Sequence, residues 1–188
     1  MKIVDAERLI SAAITHPGGV WADLGAGSGT FTKALAGLLG ERGVVYAVDR
    51  VGGVLSDSSG SQADSAAAEI VPLLGDFTEG LALSELDGLV MANSLHFVTT
   101  REQQAAVELV ASYLKPGGAF VIVEYDQLRG NHWVPYPVPP QRFSELASST
   151  GLVTARQIGR LGSRFGPKDI YSAMATKPRS PATASQPS

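Results

Sequence analysis

The chain has 188 residues, 44% of them hydrophobic, and its 15 basic and 18 acidic residues give a net charge of −3. That length supports one domain with a sizeable core, and a balance so near neutral gives no general electrostatic pull toward nucleic acid. There is no cysteine, which excludes disulfides, thiolate metal sites and cysteine nucleophiles. The opening stretch, Met1 to Arg8, is broken by Asp5 and Glu7 and does not read as a secretion signal. No apolar run reaches the roughly 18 residues of a membrane span, so a soluble, cytoplasmic protein with no membrane partner is expected.

In chain order, Ala6, Leu9, Ile10, Ala13 and Ile14 recur at helical spacing and predict an amphipathic helix over 4–14, ended by Pro17-Gly18-Gly19. A strand is expected at 19–23, then a turn through Gly25, Gly27 and Gly29, then a helix over 30–40. The β-branched run Val44 to Val48 predicts a buried second strand ending at Asp49. The Ser- and Gly-rich stretch 51–61 reads as loop, Gln62 to Ile70 as helix and Val71 to Leu74 as a third strand. A short turn of helix is expected near 78–84, a fourth strand at 87–93 and an amphipathic helix over 102–114, stopped by Lys115-Pro116-Gly117-Gly118. Ala119 to Val123 is a near-continuous apolar strand, as in a sheet covered on both faces.

The Pro- and aromatic-rich stretch 127–140 cannot form regular structure. A helix over 141–150 and two strands, 152–161 and 169–176, joined as a hairpin, complete the chain; from Lys177 onward the composition predicts a disordered tail. Strands alternating with helices imply a doubly wound, Rossmann-like, mostly parallel seven-stranded α/β sheet with a C-terminal antiparallel hairpin. A single domain over 1–176 would hold it, with the ligand at the carboxyl ends of the strands where strand order reverses.

The loop after the first strand is where that ligand is expected. Glycines reach positive φ cheaply and let backbone approach a ligand, and the start of the next helix offers free N–H groups. A dinucleotide loop wants Gly-x-Gly-x-x-Gly, but here the third position is Thr30 and the glycine is Gly29. Asp49 lies 20 residues beyond Gly29, where a carboxylate can accept hydrogen bonds from both ribose hydroxyls, worth about 1.5–3 kcal/mol each. Dinucleotide enzymes use the same acid, so Asp49 indicates a ribose without choosing the cofactor. Asp23 does discriminate: an acid before the loop repels a pyrophosphate and attracts an amino group. It can also simply hold the turn.

Asp23-Leu24-Gly25-Ala26-Gly27-Ser28-Gly29 resembles motif I of the class I S-adenosylmethionine-dependent methyltransferases. The resemblance extends over roughly residues 10–126 through four further elements: Asp49 ending strand two, Gly75-Asp76-Phe77 after strand three, Asn93 to Phe97 after strand four, and Leu114 to Gly118 before strand five. Together they look like the small-molecule branch of that family. The resemblance implies S-adenosylmethionine as cofactor and S-adenosylhomocysteine as product. It places them against Asp23 and the loop from Gly25 through Ala26, Gly27 and Ser28 to Gly29, with Asp49 at the ribose and its neighbour Arg50 among the cofactor-binding residues. Asp76 and Phe77 either suit the adenine, through a carboxylate acceptor and an apolar ring, or serve as a cap and a core residue, and Asn93 follows strand four.

His96 and His132 lie on the expected ligand side, where either can take a proton; a lone histidine after a strand is more often structural, and of the two His96 is the candidate base, although in-line methyl transfer does not always need one. Glu124, Tyr125 and Asp126 end strand five, but with His96 they match no metal-ligand spacing, and no metal is expected. Trp133 and Tyr136 belong either to a substrate wall or to a strap packed over the sheet edge. An Asn-Pro-Pro-Tyr signature for methylating nucleic-acid amines is absent, so the expected acceptor is a small molecule and not nucleic acid. Two rival functions share the fold: a nicotinamide-dependent reductase, for which no Tyr/Lys proton donor stands out, and a cofactor-binding protein without catalysis.

Overall fold

The computed structural model describes residues 1–51, 66–162 and 169–179. Seven strands form one sheet in the order β3-β2-β1-β4-β5-β7-β6. β1 (Gly19–Leu24) lies in the middle, parallel to β2 (Gly43–Asp49) on one side and β4 (Leu86–Ala92) on the other. β3 (Glu69–Leu74) extends the first side and β5 (Leu114–Tyr125) the second, both parallel. β7 (Asp169–Thr176) inserts antiparallel between β5 and β6 (Val153–Gly162). The chain thus winds outward from β1 in one direction and returns in the other, and the reversal falls between β1 and β4.

Each face of the sheet is covered, which is why β1 and β4 are apolar on both sides. On one face α1 (Ile3–Ile10) and α2 (Thr30–Leu39) pack Leu9, Ile10, Leu35 and Leu39 against Val45, Val90 and Val121. On the other, α3 (Gln103–Ser112) and α4 (Pro140–Ser149) pack Val107, Val110, Phe143 and Leu146 against Leu89, Phe120 and Ile122. Each of these large side chains, removed from water, contributes roughly 1.5–3 kcal/mol. Pro72, which donates no ladder hydrogen bond, is tolerated because β3 is an edge strand.

Three expected elements differ. Residues 66–68 are turn and 69–70 already belong to β3, because Ala68 N–H donates to the Ala36 carbonyl of α2 (2.9 Å) and Ile70 pairs with Val45. The rest of the expected helix, 62–65, lies outside the described residues, as do most of the 51–61 loop, the hairpin tip at 163–168 and the tail from 180. The expected turn of helix at 78–84 is irregular: Leu81 N–H is taken by the Tyr113 hydroxyl (2.9 Å) and Leu83 N–H by the Leu81 carbonyl (2.8 Å). β5 begins at Leu114 and continues through the Lys115-to-Gly118 turn. That stretch bulges between the Leu86↔Leu114 and Gly88↔Ala119 pairs and is tied to Lys177 by backbone hydrogen bonds of 2.8 and 3.0 Å. Residues 127–139 are irregular, as expected.

Candidate active site

At the carboxyl ends of the strands, across the reversal between β1 and β4, lies a cavity of about 850 Å³. Its floor is the glycine loop. The Gly25 and Ala26 N–H groups both donate to the Val48 carbonyl at 2.9 Å, which fastens the loop over β2. Gly25 has φ 83°, and a Cβ there would fall 2.5 Å from the Ser94 Cβ, so the close crossing of the two loops requires glycine. Gly27 has φ 52°, and a Cβ there would meet nothing closer than a backbone oxygen at 3.9 Å, leaving room above the chain for a ligand. Gly29, at φ 74°, starts α2.

Around this floor the structure brings together most of the residues expected from the sequence. Gly25, Ala26, Gly27, Ser28, Asp49, Arg50, Asp76, Phe77 and Asn93 all line the cavity. Asp49 is aimed by the loop itself, since its Oδ2 accepts from Gly27 N–H (2.8 Å) and its Oδ1 from Val51 N–H (3.0 Å). Asp76 Oδ1 accepts from the Thr78 backbone and hydroxyl (2.8 and 2.7 Å), leaving Oδ2 toward Arg50 at 3.5 Å. Partial burial works against the Asp76 charge but is outweighed by Thr78 and Arg50, and the carboxyl sits below the usual carboxylate range. Asn93 takes φ 52° where the chain leaves β4, and its backbone N–H donates to the Val123 carbonyl (2.8 Å). Its amide oxygen is buried with no partner.

Asp23 differs from the expectation of an acid beside the ligand. It is 1% exposed and does not line the cavity. Its Oδ2 accepts from the Thr32 hydroxyl (2.7 Å), bracing β1 against the first turn of α2, while its Oδ1 is buried without a partner. Burial pushes this carboxyl up to about 6, against the Thr32 hydrogen bonds and with a contribution from the Asp49 charge.

His96 also differs from the expectation of a base facing the ligand. It is 2% exposed, does not line the cavity, and turns its Nδ1 to the Glu124 carboxylate at 2.5 Å. Asp126, close in sequence, points elsewhere and pairs with Arg160 at 2.6 Å. His132 and Trp133 pack edge to face with each other, and neither they nor Tyr136 line the cavity. The Pro-rich segment is a strap. Val134 and Val138 are buried, the Tyr171 hydroxyl donates to the Val138 carbonyl (2.6 Å), and Tyr136 N–H donates to the His96 carbonyl (3.1 Å).

One wall of the cavity is not legible as such in the sequence. Val98 and the α3 residues Ala105, Ala106 and Leu109 give the cavity an apolar side, and Glu102 stands at its edge. The helical stripe of α3 is legible in the sequence, but which part of it reaches past the sheet depends on where the strand ends. Phe97, 57% exposed, and Phe31 complete the lining from the loop after β4 and from α2. Apolar faces, carboxylates for hydroxyl and amine donors, an unpartnered amide oxygen and space above Gly27 together fit an amino-acid-bearing nucleoside, the group implied by the sequence resemblance.

Comparison with known proteins agrees with this geometry. Residues 22–118, just over half of the chain, match the sequence model of the methyltransferase domain. The ribosomal RNA large subunit methyltransferase E of Chromobacterium violaceum is 28% identical over 154 residues, covering 72% of this chain. The match spans 66% of that relative, just under two thirds of its length. Among solved structures, Burkholderia thailandensis 1,6-didemethyltoxoflavin-N1-methyltransferase, with bound 1,6-didemethyltoxoflavin and S-adenosylhomocysteine, superposes with a TM-score of 0.71 at 18% identity. That match covers 94% of this chain and 78% of the other. The magnesium protoporphyrin IX methyltransferase of Synechocystis PCC 6803, with bound S-adenosylmethionine, gives 0.67 at 19% identity, over 95% and 78% of the two chains. At such identities the likeness shows the shared fold, a Rossmann-like sheet closed by an antiparallel hairpin. The sequence match adds the family: the chain belongs to the methyltransferase-domain family.

Proposed function

We propose that this protein is an S-adenosylmethionine-dependent methyltransferase that acts on a small-molecule acceptor, held in the part of the cavity bounded by Phe31 and Phe97, by in-line displacement. The observation that carries this reading is the charge of the lining. Once Asp49, Arg50 and Asp76 are given to the cofactor, the described lining that remains is apolar or neutral apart from Glu102 and holds no further side-chain cation. A polyphosphate acceptor is bound by neutralising several phosphates with Lys or Arg, and the remaining lining offers neither. The net charge of −3 supports the same reading.

The site residues take roles that follow from their chemistry. Asp49 accepts from the ribose hydroxyls, with Arg50 beside it. Asp76 accepts from the adenine amine through Oδ2, and Phe77, Val98 and Leu109 supply its apolar surroundings. The glycine loop gives the methionine portion room, and the Asn93 amide oxygen accepts from it. Asp23 acts from beneath, as the brace of the loop and as a negative charge under it. Bound S-adenosylmethionine supplies an electrophilic methyl on a sulfonium. The protein's part would be to hold an acceptor lone pair in line with that carbon, so that the methyl could pass to the acceptor and leave the cofactor as a neutral thioether. The acceptor proton passes to solvent, since the candidate base, His96, is turned toward Glu124. Residues 1–176 act as one domain, supported by the continuity of the sheet from β1 to β7.

The test is transfer of labelled methyl from S-adenosylmethionine into a cellular extract, separated into small molecules and RNA. Label in the small-molecule fraction is expected. Label confined to RNA, as the named activity of the Chromobacterium relative would produce, overturns the small-molecule reading.

A further inference from the structure

Glu124 is a fully buried carboxylate that the chemistry above leaves unused. It sits one residue past the last β4–β5 register pair, Ala92↔Val123, so it projects from β5 where the chain leaves β4 for the site. One carboxylate oxygen accepts from the backbone N–H of His96 (3.2 Å), the other takes Nδ1 of the same residue (2.5 Å). With the Asn93 N–H donating to the Val123 carbonyl, β5 therefore grips the turn 93–96 at both ends through consecutive residues. Between those grips the Ser94 hydroxyl donates to the Leu24 carbonyl (2.8 Å), pinning the middle of the turn to the end of β1.

What the turn carries is the site. Asn93, at a positive φ that asparagine tolerates better than most residues, lines the cavity, and its amide oxygen is buried without a partner. Phe97, at the other end, rests its ring on that of His96 with centroids 4.4 Å apart. The strap is set by the same residue, because Tyr136 N–H donates to the His96 carbonyl and the Tyr136 carbonyl accepts from Gln103 Nε2 (3.0 Å). A buried charge is costly unless it is fully hydrogen-bonded, and this one spends both its oxygens on a single residue beside the site.

We propose that Glu124 is a positioning residue: acting through His96, it holds the 93–97 turn in the shape that sets Asn93 against the cofactor and Phe97 beside the acceptor, and it registers the strap behind them. The proposal rests on the cavity being the cofactor site, and does not depend on which acceptor is used. The test is calorimetric titration of S-adenosylhomocysteine into folded variants, judged by far-ultraviolet circular dichroism and cooperative melting. Glu124→Ala and His96→Ala should each weaken binding about tenfold. The double variant should be no worse than either single one, because one linkage is broken in all three.

Glu124→Gln restores the shape but offers one acceptor and one donor in place of two acceptors, so it should lose no more than about threefold. It should also move the His96 proton from Nδ1 to Nε2, visible in the ring nitrogen shifts of a chain with three histidines. A folded alanine variant that binds within twofold of wild type overturns the proposal. So do additive losses in the double variant, and so does a failure of both alanine variants to fold, which assigns the pair to folding alone. Absence of binding by the wild-type protein would instead count against the cofactor site.

Discussion

Asp23→Asn removes a charge that the native state holds at a cost, and the cost can be worked from the structure. The carboxyl is fully buried and burial raises it from 3.8 to about 6. Between those two values the native protein binds a proton that the unfolded chain has released, so the Asp23 contribution to stability falls as pH rises through that window. A shift of about two units corresponds to about 3 kcal/mol in total, about 2 of which falls between about pH 4.5 and about pH 7.5. Asparagine still accepts from the Thr32 hydroxyl, although its amide hydrogens lie where Oδ1 has no partner. Its absolute stability therefore combines a gain with a loss, but the loss does not depend on pH. The assay is urea unfolding of both proteins at the two pH values, and the prediction is that the variant gains about 2 kcal/mol relative to wild type on going to the higher pH. Parallel pH profiles for the two proteins would refute the reasoning, since they would mean that Asp23 is not charged and desolvated beneath the loop.

Three further substitutions read the site directly. Asp49→Ala should weaken S-adenosylhomocysteine binding at least about tenfold by calorimetry, the minimum for losing one charge-assisted hydrogen bond. Gly25→Ala should destabilise the fold by about 2 kcal/mol or more in chemical unfolding and abolish cofactor binding. It combines a positive φ, unfavourable by roughly 1–2 kcal/mol, with a Cβ placed 2.5 Å from that of Ser94. Phe97→Ala, at a side chain 57% exposed, should change stability by less than about 1 kcal/mol, while raising KM for the acceptor and leaving S-adenosylhomocysteine affinity within about threefold.

The parts of this protein that were legible in its sequence are those where a local rule and the tertiary structure agree. β1, β2 and β4 are apolar runs bounded by turn residues, and their burial on both faces leaves no competing arrangement. The glycine loop was legible because only glycine serves at φ 83° against Ser94, and Asp49 because its distance from the loop is fixed by one helix and one strand. The alanine-rich stretch before β3 misled because helix propensity is weak beside the hydrogen bond from Ala68 to α2 and the pairing of Ile70 with Val45. His96 misled for a different reason. Its place after strand four puts it near the ligand, but the direction of its ring is set by Glu124, 28 residues away on another strand, and no spacing rule encodes that. Asp23 shows the same thing in reverse: both its attraction for a cation and its bracing of the turn were readable, and burial decides that the brace is what its geometry displays.

The most direct measurement is a crystal structure of the protein with S-adenosylhomocysteine. It should show the ribose hydroxyls within hydrogen-bonding distance of the Asp49 carboxylate, the adenine between Asp76 and the Phe77–Leu109 wall, and the amino-acid portion above Gly27 within reach of the Asn93 amide. A nucleoside bound elsewhere, or bound in this cavity with both ribose hydroxyls out of reach of Asp49, would contradict the assignment of the site.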